Sequence, residues 1–191
     1  MKLVLATHNQ GKVAELRSIL APVGMELIGY EGPEPIEDGV SFLENALIKA
    51  RAAHQHTGLP AIADDSGLQV EILGGSPGIF TAIWSGTKDN VANRRLLLAQ
   101  LKDISAEHRA AAFVCTIALV TDEVEVSFTG TWYGSIAFEE RGTNGHGYDP
   151  VFIPDGFAVT AAELEPEIKN ALSHRASAVS GLIEYLKSNA F

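Results

Sequence analysis

The chain has one cysteine in 191 residues. Cys115 therefore has no partner for an internal disulfide, and a reduced, cytoplasmic setting is expected. No apolar stretch approaches the ~20 residues that a membrane helix requires. The opening Met1-Lys2-Leu3-Val4-Leu5-Ala6 turns polar too soon for a signal peptide, so no membrane partner is expected. Positive charge is scarce, with 14 Lys and Arg against 24 Asp and Glu and a net charge of −10. A long nucleic acid wants a basic face, so it is excluded as a partner. A small polyanion is not excluded, because a few converging cations suffice when a divalent ion neutralises part of its charge. Repeats, low-complexity segments and long linkers are missing as well. What remains is one domain over residues 1–191, perhaps as two small lobes, with 46% hydrophobic residues to build a core.

The periodicity predicts an α/β fold. Leu3 to Ala6 reads as a short buried strand. A helix follows from about Gln10 to Ala21, with Val13, Leu16 and Leu20 on one face, Asn9 as cap and Pro22 and Gly24 as the stop. Glu31 to Gly39 is a loop rich in Pro, Gly and acid. Ser41-Phe-Leu-Glu44 has capping-box spacing and opens a helix to about Gln55. That helix carries an apolar stripe (Phe42, Ala46, Ala50) beside a polar one (Ser41, Asn45, Lys49). A strand at Ala61 to Ala63 runs into Asp64-Asp65-Ser66-Gly67, read as its carboxyl end. A helix over Asn90 to Lys102 directs Val91, Leu98 and Leu101 inward. Phe113 to Val120 is a central strand, Val124 to Phe128 its half-exposed partner across a Thr121-Asp122-Glu123 turn, and Gly134 to Phe138 a further strand. Helical sequence from Ala161 to Lys187 is punctuated by Pro166 and Ser173. These elements make a mixed central sheet flanked by helices.

Four segments carry chemistry. Thr7-His8-Asn9-Gln10-Gly11-Lys12 sits where the first strand meets its helix, a junction whose N–H groups and dipole attract anions. It is neither a Walker A loop nor a dinucleotide fingerprint, and an ordinary capped turn would look the same. Asp64 and Asp65 are costly after an apolar strand unless solvated, paired or bound to a metal. Because strand side chains alternate, at most one of them faces a substrate squarely; a polar turn is the alternative. Glu37, in the acidic loop, together with Asp65 offers hard oxygen ligands suited to Mg²⁺, which keeps waters and bridges to phosphate. A solvated acidic loop is the bland reading of Glu37 and Asp38. Finally, the glycines of Arg141-Gly-Thr-Asn-Gly-His146-Gly147-Tyr148-Asp149-Pro150 let backbone approach a ligand, with His146 and Tyr148 as possible stacking faces. Lys169 and then Ser173-His174-Arg175 follow, where His174 and Arg175 could donate to base oxygens or phosphate; a surface His-Arg pair at a helix start is the bland alternative. His54, His56 and His108 suggest only polar surface.

Together these segments resemble the inosine/xanthosine triphosphate pyrophosphatase family over essentially the whole chain. The resemblance rests on Thr7-x-Asn9-x-Gly11-Lys12, Glu37-Asp-Gly-x-Ser-Phe-x-Glu-Asn45-Ala, Ala63-Asp-Asp-Ser-Gly67-Leu, Pro77-Gly-Ile, Gly145-x-Gly-Tyr-Asp-Pro150, Ala162-Glu-Leu and Ser173-His-Arg175. It implies a two-lobed α/β fold with a nucleotide cleft between the lobes, as a homodimer. It further implies Mg²⁺-assisted hydrolysis of abnormal purine nucleoside triphosphates (ITP, dITP, XTP) to monophosphate and pyrophosphate. Carried over by residue, Thr7, His8, Asn9, Gln10, Gly11 and Lys12 with Lys49 would hold the triphosphate. Glu37 and Asp65 would bind the metal, with Asp64 as a further candidate ligand, and Asp65 would also serve as general base. Ser66, His146, Gly147, Tyr148, Asp149, Lys169, His174 and Arg175 would contact base, sugar or phosphate. Two positions depart from the family pattern. His146 stands where Phe is usual, implying weaker or pH-sensitive base stacking, and Ile83 stands where Arg is common. A pyrophosphatase for pyrimidine or modified triphosphates, as in the related septum-inhibitor family, competes with this reading. That family favours a Ser-x-Ser-x-Arg-Arg-like first motif, which this chain lacks. A sensor without catalysis is the non-enzyme alternative, and the presence of Lys12, Glu37 and Asp65 speaks against it.

Overall fold

Leu3, Val4 and Leu5 are all at most 1% exposed, so the first strand must be covered on both faces. The structure, a computed structural model, shows how; it describes residues 2–7, 13, 16, 20 and 24–189. The strands are β1 (Lys2–Leu5), β2 (Glu26–Gly29), β3 (Ala61–Val70), β4 (Ser76–Pro77), β5 (Ala110–Val120), β6 (Glu125–Ile136) and β7 (Phe152–Pro154). The helices are α1 (Phe42–Thr57), α2 (Asn90–Gln100), α3 (Pro166–Leu172) and α4 (His174–Ser188). Val13, Leu16 and Leu20 are helical and buried, as their spacing predicts; the expected Asn9 cap and Pro22 stop lie outside the described residues. Among the described residues, no helix is long and apolar enough to cross a membrane.

The strands form one sheet in the order β2-β1-β3-β5-β6-β7, with β4 beside β3. β1 runs parallel to β2 and β3, whereas β3 with β4 and β6 with β7 are antiparallel. The sheet is therefore mixed, and the α/β expectation holds. The chain divides into two compact units, one of Met1–Asp65, Cys115–Gly130 and Ser177–Phe191, the other of Ser66–Val114 and Thr131–Ala176. The boundaries fall inside β3, β5, β6 and α4.

In the first unit, alternate residues of β1 enter two different cores. Leu3 and Leu5 join Val13, Leu16, Leu20, Ile62, Ile117, Leu119 and the α4 residues Val179 and Leu182. Val4 and Ala6 join Ala46, Ala50 and Ala53 of α1 with Ala61 and Ala63 of β3. Small side chains on both partners let α1 lie close to the strands. Its start is fixed locally: Ser41 Oγ accepts from Glu44 N–H at 3.1 Å, while the Glu44 carboxylate reaches back to Val40 N–H at 2.9 Å. Its end is Gly58, left-handed at φ +65°, whose N–H meets His54 O. His54 does more than decorate the surface, contrary to expectation. Its Nδ1 is 2.7 Å from Leu59 O and its Nε2 is 3.3 Å from Asp122, so it ties the end of α1 to the β5–β6 turn.

The second unit packs Leu68, Val70, Leu97 and Leu101 around an aromatic group. Phe113 and Trp132 lie 4.7 Å and 5.4 Å from the Phe152 ring, centre to centre. Arg109 is buried there and donates to four carbonyls, those of Leu101, Ile104, Ile136 and Ala137. Phe138 covers its guanidinium at 4.4 Å. Desolvation holds this group below the usual guanidinium pKa.

Three expectations need correction. The strand at Ala61 does not end at the acids; β3 runs through Asp64-Asp65-Ser66-Gly67 because Leu68 and Val70 continue it into the second core. Gly134 to Phe138 is no separate strand but the end of β6 and the residues after it. Val91 points outward at 40% exposure. Asn93 takes the inward place, since its amide accepts from Ser85 N–H at 2.7 Å and donates to Ala82 O at 3.0 Å.

Candidate active site

The first unit gathers an acidic site on the polar stripe of α1. Lys49 Nζ lies 2.7 Å from Glu37 Oε2 and 3.8 Å from Asp65 Oδ1. Two carboxylates from distant stretches of sequence therefore reach the same ammonium, and the gap between their oxygens cannot exceed those two legs together. One turn earlier on α1, Asn45 is only 4% exposed. Its Oδ1 accepts from Gly39 N–H at 2.9 Å and its Nδ2 donates to Asp65 Oδ2 at 3.1 Å. The amide thus fastens the acidic loop to the strand acid. Gly39 permits this because a Cβ there would stand 2.7 Å from Asn45 Oδ1 and equally close to Glu44 Cβ. Asp64 and Asp65 differ as strand alternation demands: Asp64 is buried at 3%, whereas the Asp65 side chain keeps 17% of its surface open.

Among the described residues, no group of three or more His, Cys, Asp or Glu could hold a metal alone. Glu37 and Asp65 still fit Mg²⁺, which needs only one or two carboxylates when waters and phosphate complete its shell. The pair already holds one positive charge between them. Of the expected triphosphate loop, Thr7 follows β1, its N–H bonded to Leu5 O at 2.9 Å. His8, Asn9, Gln10, Gly11 and Lys12 lie outside the described residues.

The second unit holds the Gly145–Asp149 loop by its partners. The Asp149 carboxylate, 4% exposed, pairs with Lys169 and accepts from His146 N–H at 2.8 Å. A Cβ on Gly145, at φ +75°, would meet Asp149 Oδ2 at 2.0 Å and Lys169 Nζ at 2.6 Å, so only glycine fits. Arg94 supports the loop from α2: its Nη1 donates to Gly147 O at 2.8 Å while Glu140 holds its Nε at 3.0 Å. His146 is exposed. Tyr148 is not the stacking face the sequence suggested. It is 2% exposed and donates its hydroxyl to Thr81 O at 3.1 Å, and burial pushes its pKa well above the usual phenol range. His174 lies flat on Phe113, rings 5.0 Å apart and 14° from parallel, which fixes its orientation. Arg175 beside it is 8% exposed, Ser66 is half-buried in β3, and Ile83 is exposed.

Asn45, Gly39 and Arg94 are the residues that the sequence reading left out of the site. The i, i+4 step from Ser41 through Asn45 to Lys49 signalled the first of them; nothing in the sequence signalled Arg94.

An α/β protein with a mixed sheet, paired acids on a helix-held lysine and a glycine loop over a buried Asp–Lys pair defines the class. The Ham1 family model matches residues 3–185, and the chain belongs to that family. It is 55% identical to a protein of Leifsonia xyli named dITP/XTP pyrophosphatase, over 98% of this chain and 96% of the relative. Among solved structures it is similar to a HAM1 protein from Coxiella burnetii, with TM-score 0.93 and 39% identity, covering 99% of this chain and all of that one. It is also similar to a nucleoside-triphosphatase, dITP/XTP pyrophosphatase, from Mycobacterium abscessus, with TM-score 0.82 and 52% identity over 95% of this chain and 98% of that one.

Proposed function

We propose that the chain hydrolyses abnormal purine nucleoside triphosphates (ITP, dITP and XTP) to monophosphate and pyrophosphate with Mg²⁺, cleansing the nucleotide pool. The observation that carries this reading is the convergence of Glu37 and Asp65 on one cation position, in a Ham1-family chain whose relatives include proteins named dITP/XTP pyrophosphatase.

Water attack at the α-phosphorus needs a group to take the proton, and Asp65 has that role. Asn45 sets the direction of its carboxylate. Glu37 and Asp65 would hold Mg²⁺, which when bound would supply charge neutralisation at the phosphoryl oxygens. Thr7 to Lys12, with Lys49, bind the triphosphate and stabilise the charge that spreads over it. Pyrophosphate then leaves already paired with cations, so no covalent nucleophile is required. Ser66, His146, Gly147, Lys169, His174 and Arg175 receive base, sugar or phosphate, while Asp149 acts behind them by aiming Lys169. Donors such as His174 and Arg175 read the keto oxygen at purine C6. We place the enzyme in the cytoplasm as a homodimer, in keeping with the family resemblance and the single thiol.

A panel of triphosphates with Mg²⁺, reading pyrophosphate and orthophosphate separately, tests this. The expected product is pyrophosphate, released from dITP, ITP or XTP well above ATP, GTP, UTP or dTTP. Orthophosphate as product would reassign the reaction, and equal turnover of ATP and ITP would end the purine claim.

A further inference from the structure

The ammonium of Lys49 sits where the proposed metal would be wanted. Its side chain is only 16% exposed, and it contacts both carboxylates, Glu37 at 2.7 Å and Asp65 at 3.8 Å. The acids cannot easily spread apart to relieve their repulsion, because Asn45 ties Gly39 and Asp65 to one amide. A divalent ion bound by both carboxylates would need their oxygens at about 2.0–2.1 Å and would bring two positive charges against the ammonium. The two cations exclude one another.

We propose that Lys49 is a place-holding cation, seated between Glu37 and Asp65 in the nucleotide-free protein and released toward the triphosphate when the metal enters. The proposal rests on the function given above. It makes metal and nucleotide binding reciprocal: the ion must displace the ammonium, and the incoming phosphate gives that ammonium a new partner. Metal alone binds weakly; metal with nucleotide binds well.

Mn²⁺ is the probe, its free form read by electron paramagnetic resonance in titrations of the full, nucleotide-free chain. Lys49→Met removes the charge at similar length, and Lys49→Arg retains it. Loss of a unit charge about 4 Å from a dication should tighten Mn²⁺ binding by at least roughly tenfold, whereas Lys49→Arg should stay near wild type. Equal, weaker or undetectable binding by Lys49→Met overturns the proposal. A second measurement needs only the wild type, with ¹³Cε-labelled lysine and the Lys49 signal assigned by its loss in Lys49→Arg. That signal should shift as Mg²⁺ saturates without nucleotide; a stationary signal overturns the exchange. Neither readout depends on turnover. A wild type that releases no pyrophosphate from dITP defeats the proposed function alone, while an active wild type with unmoved Mn²⁺ binding in Lys49→Met defeats the exchange alone.

Discussion

Asn45→Ala is the substitution that most directly probes how the acidic site is held. The side chain is buried and makes two hydrogen bonds, one to a backbone N–H and one to a carboxylate. A neutral bond contributes about 0.5–1.5 kcal/mol and one to a charged group about 1.5–3 kcal/mol. Their joint loss, about 2–4 kcal/mol, should lower the melting temperature by roughly 5–15 °C in a chain of this length. The larger effect belongs to catalysis. Without the amide, Asp65 and the Gly39 loop lose their common anchor, and a misplacement of about 1 Å can cost on the order of 100-fold in rate. The loss should fall on kcat rather than on nucleotide KM, since Asn45 contacts the acids. Asn45→Asp separates the two roles. It keeps an acceptor for Gly39 N–H but turns a carboxylate oxygen toward Asp65, so activity should stay low although the loop remains tied. Circular-dichroism melts and pyrophosphate release at saturating Mg²⁺ read both effects. If Asn45→Ala melts within about 2 °C of wild type and keeps kcat within about twofold, the anchoring argument is wrong.

Asp65→Asn should keep the fold, since its one amide oxygen can still accept from Asn45 Nδ2, yet lose about 100- to 10,000-fold in turnover if Asp65 is the base; wild-type-like rates would move that role elsewhere. Lys169→Met leaves the Asp149 carboxylate buried beside a mere N–H, and should cost about 3–5 kcal/mol in urea unfolding, with nucleotide KM rising as well. Arg109→Met removes the buried guanidinium's bonds to the carbonyls of Leu101, Ile104, Ile136 and Ala137, and a loss of at least about 4 kcal/mol is expected in the same assay. The Glu163 carboxylate is held below the usual range first by Thr160 N–H, then by the Thr160 hydroxyl and Arg141. A lowered folded-state pKa means stabilisation that is present above the ordinary carboxylate range and lost as pH falls through the folded value. The melting-temperature gap between wild type and Glu163→Gln should therefore narrow between neutral pH and about pH 3, and a gap that widens on acidification contradicts the sign.

Helix α1 was legible because its signals agree: a capping box and the Phe42-Ala46-Ala50 stripe place it, although the reading ended near Gln55 and the helix runs on to Thr57. β5 was equally plain, since an unbroken apolar run can only be a central strand here. β3 misled because Asp64-Asp65-Ser66-Gly67 has turn composition. The cost of placing it in a strand is met by partners that only the fold supplies, Asn45 and Lys49 among them. β6 was split in the reading because Gly130 and Gly134 look like punctuation. At Gly134 the reason is close approach instead: a Cβ would stand 2.2 Å from Ile153 O across the β6–β7 pair. Val91 and Tyr148 were misplaced for one reason. Composition does not reveal that Asn93, beside Val91, and Tyr148 each have a carbonyl waiting inside that only long-range packing brings to them.

The same logic bears on how a chain with net charge −10 can hold a polyanion. Lys49 is fixed by Glu37 and Asp65, Lys169 by Asp149, and Arg94 by Glu140. Lys49, Lys169 and Arg94 are thus each already paired with an acid, so a phosphate must compete with a carboxylate for any of them. Such pairing lowers affinity for anions in general, because any lone phosphate gains only the difference between two partners. A triphosphate arriving with a divalent ion would escape that penalty if, as proposed, the ion takes over the carboxylates as the phosphates take the ammonium groups. Under the proposed function, these acid-paired cations would favour a metal-bound nucleotide over bare anions, with groups the net charge alone would have counted against such a ligand.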